Sequence, residues 1–361
     1  MEKVDPLKTE RKSYQTLDSY SLMIVSKYFE DKNDYINIVQ VCRKFRFTLE
    51  KFRFNPIPIT SHKLFPNIET LVLYSSDDNV FDTPLIRVEY NVVYSHYKKM
   101  DQTKTQYKRV VFNQYERRMY RGVIFDGVTT LTPRCFENCS VDDISIPPSV
   151  RSIGEFCFYK CYKTKTLTVP GTIKIIPLAC FKESLFSSIE ICRNVRWVEN
   201  NAFEKCTQLT SLIFPNTIER IGKMCCSQCL QLKNLVLPNS IPEIPPMCFQ
   251  YCSTLREVVL SESVRIIGNF AFRNCKGLLQ VDFGDMLSYI GESAFENCIS
   301  LQKVRLKADG VYIGKFAFKN CVSLCEVQTT KGANIEKSCF EGCKLLFSYI
   351  EFHNKSNAIQ V

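Results

Sequence analysis

The chain of 361 residues has only three histidines, His62, His96 and His353, and a single tryptophan. None of the histidines sits in a spaced set of Cys, Asp or Glu, so neither a metal centre nor a catalytic triad is expected. The phosphate loops GxxxxGK[ST] and GxGxxG are missing, as is the GxSxG nucleophile elbow. Asp282 and Asp285 flank Gly284, which reads as turn chemistry rather than as a pair of catalytic acids. No window approaches 18 apolar residues, so no transmembrane helix is expected. The opening MEKVDPLKTERK has no apolar core for a secretory signal, and the closing HNKSNAIQV has neither a prenylation cysteine nor a lipid-anchor tail. No run of five or six like charges accompanies the net charge of +10, so no nucleic-acid tail is indicated. These absences predict a protein without enzyme activity, cofactor or metal, in the cytoplasm or the nucleus.

What the chain does contain is 19 cysteines, 26 phenylalanines and a repeat. IGNFAFRNCKGLLQVDF begins at Ile267 and IGESAFENCISLQKVRL at Ile290. Phe136, Phe158, Phe181, Phe203, Phe249, Phe272, Phe295, Phe318 and Phe340 fall 22 or 23 residues apart once Cys226 is admitted between Phe203 and Phe249. Three residues after each stands a cysteine, Ser184 being the exception, and immediately before each stands Ala or Cys. A period in this range is the signature of a solenoid.

Each unit reads as a coil with three sides. One is a short apolar alternation such as LREVVL (255–260) or LQKVRL (301–306), which is strand chemistry. The second is VRIIG (264–268) or LSYIG (287–291), extended, with its glycine supplying a turn. The third, xxAFxxC, is too short for a stable helix and predicts one helical or 3₁₀ turn. Coils stacked about 4.8 Å apart place the phenylalanines in a continuous internal spine, and ten coils span roughly 50 Å. No coil buries its own apolar face, so its neighbours must.

The cysteines then follow from packing. The places that accept Ala, Cys or Ser share small size in a crowded interior, where a free thiol behaves as a small hydrophobe. Two other readings compete. CFENC and CFQYC look like paired metal ligands, although the spacing is mostly C-x₃-C and no histidine is near. Neighbouring coils also place cysteines within disulfide range, although parallel inward side chains suit a bridge poorly.

With these residues aligned, the units resemble the leucine-rich repeats of the BspA-like class, whose pattern is IPxxVxxIGxxAFxxCxxLxxVxL. FPNTIERIGKMCCSQCLQLKNLVL (214–237) and LSESVRIIGNFAFRNCKGLLQVDF (260–283) carry it. Cys226 departs from it at the aromatic place, and Pro177 and Pro245 at the glycine. The resemblance implies a right-handed solenoid with a concave parallel β-sheet over 128–352, and it implies binding to a protein partner rather than catalysis. Such arrays present rows of side chains on the strand side. The candidates between the apolar anchors are Lys233, Asn234, Arg256, Glu257, Gln280, Asp282, Gln302, Lys303, Arg305 and Glu326. Their mixed signs leave the partner's charge open.

The earlier part of the chain has a different period. Leu22, Val25 and Phe29 share a helical face after a cap at Asp18 or Ser19, and Ile36, Val39 and Cys42 repeat at three. This segment, 15–59, resembles an F-box at Leu17, Ile24, Tyr28, Val41 and Phe45, and VCRKF is its most family-like part. Asp18 stands where the family usually has proline. The resemblance implies docking to the Skp adaptor of a cullin ubiquitin ligase. A cap over the solenoid's first edge is the alternative. Chains of amoebic parasites are similar in this order of segments. Residues 60–127 read as a β-rich link with a degenerate rung at FPNIETLVLYS (65–75) and strands within 85–97 and 107–115. KRVVFNQYERRMYR suits a solvated strand face as well as a nucleic-acid surface, so nucleic acid is not expected as a partner. Residues 1–14 and 353–361 read as tails. A cell-surface adhesin is the third functional reading, against the absence of an export signal in the residues at hand.

Overall fold

Two helices open the described chain, and each begins at an aspartate. Asp18 accepts from the Tyr20 and Ser21 amides at 2.9 and 2.6 Å and starts Ser19–Val25. Asp31 accepts from Asn33 and Asp34 at 2.7 and 3.0 Å and starts Lys32–Val41. A carboxylate there satisfies amides that a first helical turn leaves without partners. The computed structural model describes residues 17–330, 332–346 and the strand Glu351–Phe352, so the two tails lie outside the described residues.

The described residues form two compact units, one of residues up to 92 together with 97–109, the other of 93–96 and 110 onward. In the first, the helices do not stand apart as a separate segment. Tyr35 is fully buried against Phe29, Phe52 and Phe65, and this cluster is continuous with Ile68, Leu71 and Val88. The Tyr35 hydroxyl donates to the Ser26 carbonyl. Asn55, also fully buried, ties NPIPI to the strand Thr70–Leu73: its amide donates to the Val72 carbonyl at 2.8 Å and accepts from the Val72 N–H at 2.6 Å. Thr70–Leu73 runs parallel to Leu85–Val93, so rung-like pairing is already present in FPNIETLVLYS.

The second unit is a parallel-strand solenoid, and the whole fold counts about eleven turns. Long strands stack in register, Glu257 on Gln280 on Lys303 on Glu326. Short strands form a second side, Ile266 on Tyr289 on Tyr312. All nine spine phenylalanines are buried. Seven consecutive ring pairs stack at 5.2–5.5 Å, and Phe112 extends the first run by one ring. Burying each ring stabilises the fold by about 1.5–3 kcal/mol. The ring stack is not continuous, because Cys226 brings no ring between Phe203 and Phe249. Two runs result, one ending at Phe203 and one starting at Phe249.

The third side has the i→i+3 bonds of a 3₁₀ turn, but in several overlapping turns rather than the single helical or 3₁₀ turn expected. Each coil makes overlapping i→i+3 turns, and in all but the Phe340 coil left-handed residues stand two before and two after the ring or Cys226, as at Phe270 (φ 61°) and Asn274 (φ 61°). Alternate amides therefore point out of the coil. Those of Phe270, Phe272 and Asn274 donate to Glu292, Ala294 and Glu296 of the next coil at 2.7–2.9 Å, while Ala271, Arg273 and Cys275 bond within their own. Asparagine tolerates this backbone better than most residues, which suits its recurrence at 274, 297 and 320.

The glycine of VRIIG opens a turn, the Ala271 amide donating to the Gly268 carbonyl at 3.2 Å, and is needed there for its size. Gly222 and Gly268 are not in the left-handed region, but a Cβ would lie 2.4 Å from the Asn200 nitrogen or 2.6 Å from that of Pro246. Its absence lets successive coils approach.

Small size is likewise only half the account of the cysteines. The Cys298 thiol donates to the Phe272 carbonyl of the preceding coil at 3.2 Å, and Cys229, Cys275 and Cys321 do the same to Phe203, Phe249 and Phe295. That carbonyl already accepts one amide, so the thiol fills its second lone pair in a dry interior. All nineteen cysteines are free, and all but Cys42, Cys192, Cys325 and Cys343 are buried.

A short helix closes the first coil. Gln114–Met119 begins at Asn113, and its Gln114 and Arg117 side chains donate to the carbonyls of Arg134 and Glu137. Among the described residues the Glu137 carbonyl receives no backbone amide of a preceding coil, unlike Glu296, which accepts from Asn274.

Candidate functional site

Strand alternation decides which side chains of the long-strand sheet face solvent. In Glu257–Val259, Gln280–Asp282 and Lys303–Arg305 the central valine is buried and its neighbours are exposed. Lys233, Asn234, Arg256, Glu257, Gln280, Asp282, Gln302, Lys303 and Arg305 are all exposed, and Glu326 is half-buried. The structure brings them onto one face but not into one cluster. Lys303 and Arg305 both bond the Glu326 carboxylate, at 2.8 and 3.2 Å, and Gln328 adds a third donor at 2.7 Å. Hydrogen bonds from Lys303 and Arg305 hold that carboxyl below its usual range. Among the described residues no ion pair joins Lys233, Arg256, Glu257 or Asp282, so their charges stay open to solvent.

Beside Lys233, Arg256 and Glu257 runs a feature that selecting polar residues missed. Ile213 pairs with Val236 across neighbouring strands, and Val259 occupies the same place one coil on. Their exposures are 60%, 51% and 67%, whereas the buried places beside them, Leu212 and Val258, are 0% and 2% exposed. Three branched aliphatic side chains thus follow one another in a row, Ile213 and Val236 on paired strands and Val259 on the next coil. Glu190 precedes it in the column and Asp282 follows it. Two grooves run beside it. One of about 820 Å³ lies over Ser188, Glu190, Ser211, Ile213 and Val236; the other, about 850 Å³, lies over Lys233, Val236, Arg256, Glu257 and Val259. The signal was present in LTSLIF, LKNLVL and LREVVL, where the next-to-last residue is Ile or Val at a place that other coils give to Asp or Arg.

A second apolar surface lies on the helices of the first unit. Leu17, Tyr20, Ile24 and Tyr28 recur every three or four residues and are 45%, 64%, 48% and 84% exposed. Val41 is 72% exposed, whereas Phe45 is half-buried. The side chains facing the other way, Leu22 and Tyr35, are buried.

No group of three or more His, Cys, Asp or Glu side chains placed to hold a metal occurs among the described residues. Nor is any described helix long and apolar enough to cross a membrane.

Comparison with known families matches the BspA type leucine rich repeat region, in six copies, over residues 129–256 and 243–361. The chain belongs to this family. Leucine-rich repeats of this kind are a non-enzymatic class of fold. Among solved structures, the chain is similar to a leucine-rich repeat protein of Bacteroides ovatus, with 22% identity over 62% of this chain and 71% of that one, and a TM-score of 0.49. It is also similar to a leucine rich cell surface protein of Faecalibacterium prausnitzii, with 19% identity, coverage of 81% and 89%, and a TM-score of 0.38. The pneumococcal vaccine antigen PcpA matches at 12% identity over 81% of this chain and 80% of its own, with a TM-score of 0.36. No functionally curated protein matches the sequence.

Proposed function

We propose that this repeat protein is a non-enzymatic interaction scaffold whose protein partner docks on the exposed, concave face of the long-strand sheet. The observation that carries the reading is the strip Ile213, Val236 and Val259. Exposed aliphatic side chains in one contiguous row, rimmed by polar residues, are the usual mark of a protein-binding patch. Lys233, Asn234, Arg256, Glu257, Gln280 and Asp282 supply the rim, and a rim of mixed sign confers selectivity more than affinity. The test is affinity capture from native lysate with the wild-type chain and with a variant carrying Ile213→Glu, Val236→Glu and Val259→Glu. Both must show the same circular dichroism. Partners held by the wild type and lost from the variant support the reading, and an unchanged set of partners overturns it.

The helical segment supports a second reading, a substrate adaptor of a cullin ubiquitin ligase held through Skp. Leu17, Ile24, Tyr28 and Val41 are exposed while the opposite face forms the core, so changes there leave folding intact. Purified Skp adaptor should bind the wild-type chain and lose it on Ile24→Asp with Val41→Asp. No binding to the wild type rejects this second role and leaves the first standing. Labelling of intact cells with an impermeant reagent separates both readings, which place the protein inside the cell, from a surface adhesin.

A further inference from the structure

Ring stack, long-strand sheet and short-strand sheet all stop at the same coil. The rings break at Cys226. One long-strand sheet ends with Asn234–Val236 and another begins at Glu257–Val259. One short-strand sheet ends with Arg220–Ile221 and another begins at Glu243–Ile244.

On the short-strand side the cause lies in two prolines. At the place of Pro242 other coils donate an amide to the coil before, as Glu219 does to Arg196 and Arg265 does to Pro242 itself. At the place of Pro245, Gly268 donates to Ile244 and Gly291 to Ile267. Proline has no N–H, so neither bond forms at the seam. On the long-strand side the Lys233 amide bonds Thr210 and the Leu279 amide bonds Arg256. Among the described residues no such bond joins the Arg256 amide to Lys233. Leu235 is only half-buried there, while Leu212 and Val258 on either side are buried.

The third side alone crosses intact. The amides of Met224, Cys226 and Gln228 donate to Pro246, Cys248 and Gln250 at 3.1, 2.8 and 2.7 Å. The Ser240 and Thr254 hydroxyls add bonds to the carbonyls of Ile218 and Leu232. Grooves lie over both broken sheets, the one at Val236 and Val259 already described and one of about 380 Å³ over Arg220, Pro242, Glu243 and Pro245.

We propose that the junction between the Cys226 and Phe249 coils is a hinge within the solenoid. The coils before it and after it turn as two rigid stacks about the bonded third side. Cooperative units separate where few bonds and contacts cross, and here two of three sides lack the backbone bonds of other coils and the ring contact is lost. Val236 and Val259 stand on opposite sides of the joint, so the hinge angle sets their spacing. The hinge does not depend on what docks there.

Hydrogen exchange on the full chain, read by mass spectrometry, tests this. The Cys226 and Gln228 amides cross the seam with bonds as short as those of Phe272 and Asn274, which cross mid-stack at 2.7 and 2.8 Å. With a hinge, the seam amides exchange at least about tenfold faster. Pro242→Arg with Pro245→Gly restores both donors, using the residues that the Phe272 coil carries at 265 and 268, and should bring the rates together. Equal rates at the two places in the wild type overturn the hinge. So does a folded Pro242→Arg single variant whose seam amides exchange no more slowly than before.

Discussion

Phe272 is the strongest place to test the stacked interior. Its ring is fully buried and lies between Phe249 at 5.3 Å and Phe295 at 5.2 Å, so truncation to Ala removes contacts on both faces. The backbone on each side is pinned by coil-to-coil bonds, so the hole cannot collapse. The expected loss is about 3–5 kcal/mol, the range for a core Phe→Ala change. At about 2–4 °C per kcal/mol for a unit of this size, the melting midpoint should fall by roughly 6–20 °C. Phe340 closes the run with one ring neighbour at 5.5 Å, so Phe340→Ala should cost about 1–2 kcal/mol less. Calorimetry and urea titration of both variants measure the difference. The seam at Cys226 adds an expectation: Phe272→Ala weakens the second run alone, so the transition should broaden or split. Losses below about 1 kcal/mol at both sites, the size of a surface change, would refute the stacked interior.

The thiols give three further tests. A bulky alkylating reagent should modify Cys42 and Cys325 in the native protein and nearly all cysteines in denaturant. Burial pushes the Cys275 thiol up to about 12, so working at about pH 9 should not bring it into reaction; early loss of the interior thiols would contradict their placement. Cys298→Ala removes a donor from the Phe272 carbonyl and should cost about 1–2 kcal/mol in a urea titration, with Cys298→Ser losing less. The Glu326 carboxyl should titrate below the ordinary glutamate value by NMR and move back toward it in Lys303→Met, since Lys303 and Arg305 favour its ionised form. Any stability tied to that ion cluster is present at neutral pH and lost as pH falls through the depressed midpoint.

The architecture was legible because one steric demand recurs at a fixed period. Phenylalanine needs partners above and below it, so the 22–23-residue spacing exposes both the rung and its neighbours. Properties that depend on register between coils were harder to read. Pro242 and Pro245 are plain in the sequence, but their consequence appears only when the amides of Arg265 and Gly268 show which bonds prolines there forgo. The cysteine places were read by size, and the Phe carbonyl that each thiol meets belongs to the previous coil. The length of the third side predicts one helical or 3₁₀ turn and no more. The left-handed residues at Phe270 and Asn274 instead aim alternate amides at the neighbour, a geometry that no single coil's residues announce. In the first unit, helical periodicity places Leu22, Val25 and Phe29 on one face, yet Leu22 is buried and Val25 exposed, and the burial of Tyr35 against Phe65 depends on a chain turn at Asn55 that periodicity does not describe.

The candidate face was half legible for a related reason. Charged residues on an exposed strand face draw attention, yet Lys303, Arg305 and Glu326 are largely occupied with one another. A partner docking on them must first displace bonds of similar strength in water, which leaves little net gain. Ile213, Val236 and Val259 have no such competing contact. Solvent exposure of branched aliphatic side chains costs free energy in the isolated chain, and covering them recovers about 25 cal/mol for each Å² removed from water. Packing does not account for them, since the inward places of the same strands already hold Leu212, the half-buried Leu235 and Val258. The balance of terms therefore places the energetic centre of any interface on the middle coils, near the seam, and leaves the charged coils beyond Asp282 to act on orientation. Charge reversal at Arg305 should then alter the salt dependence of binding, while Val236→Glu alone should abolish it.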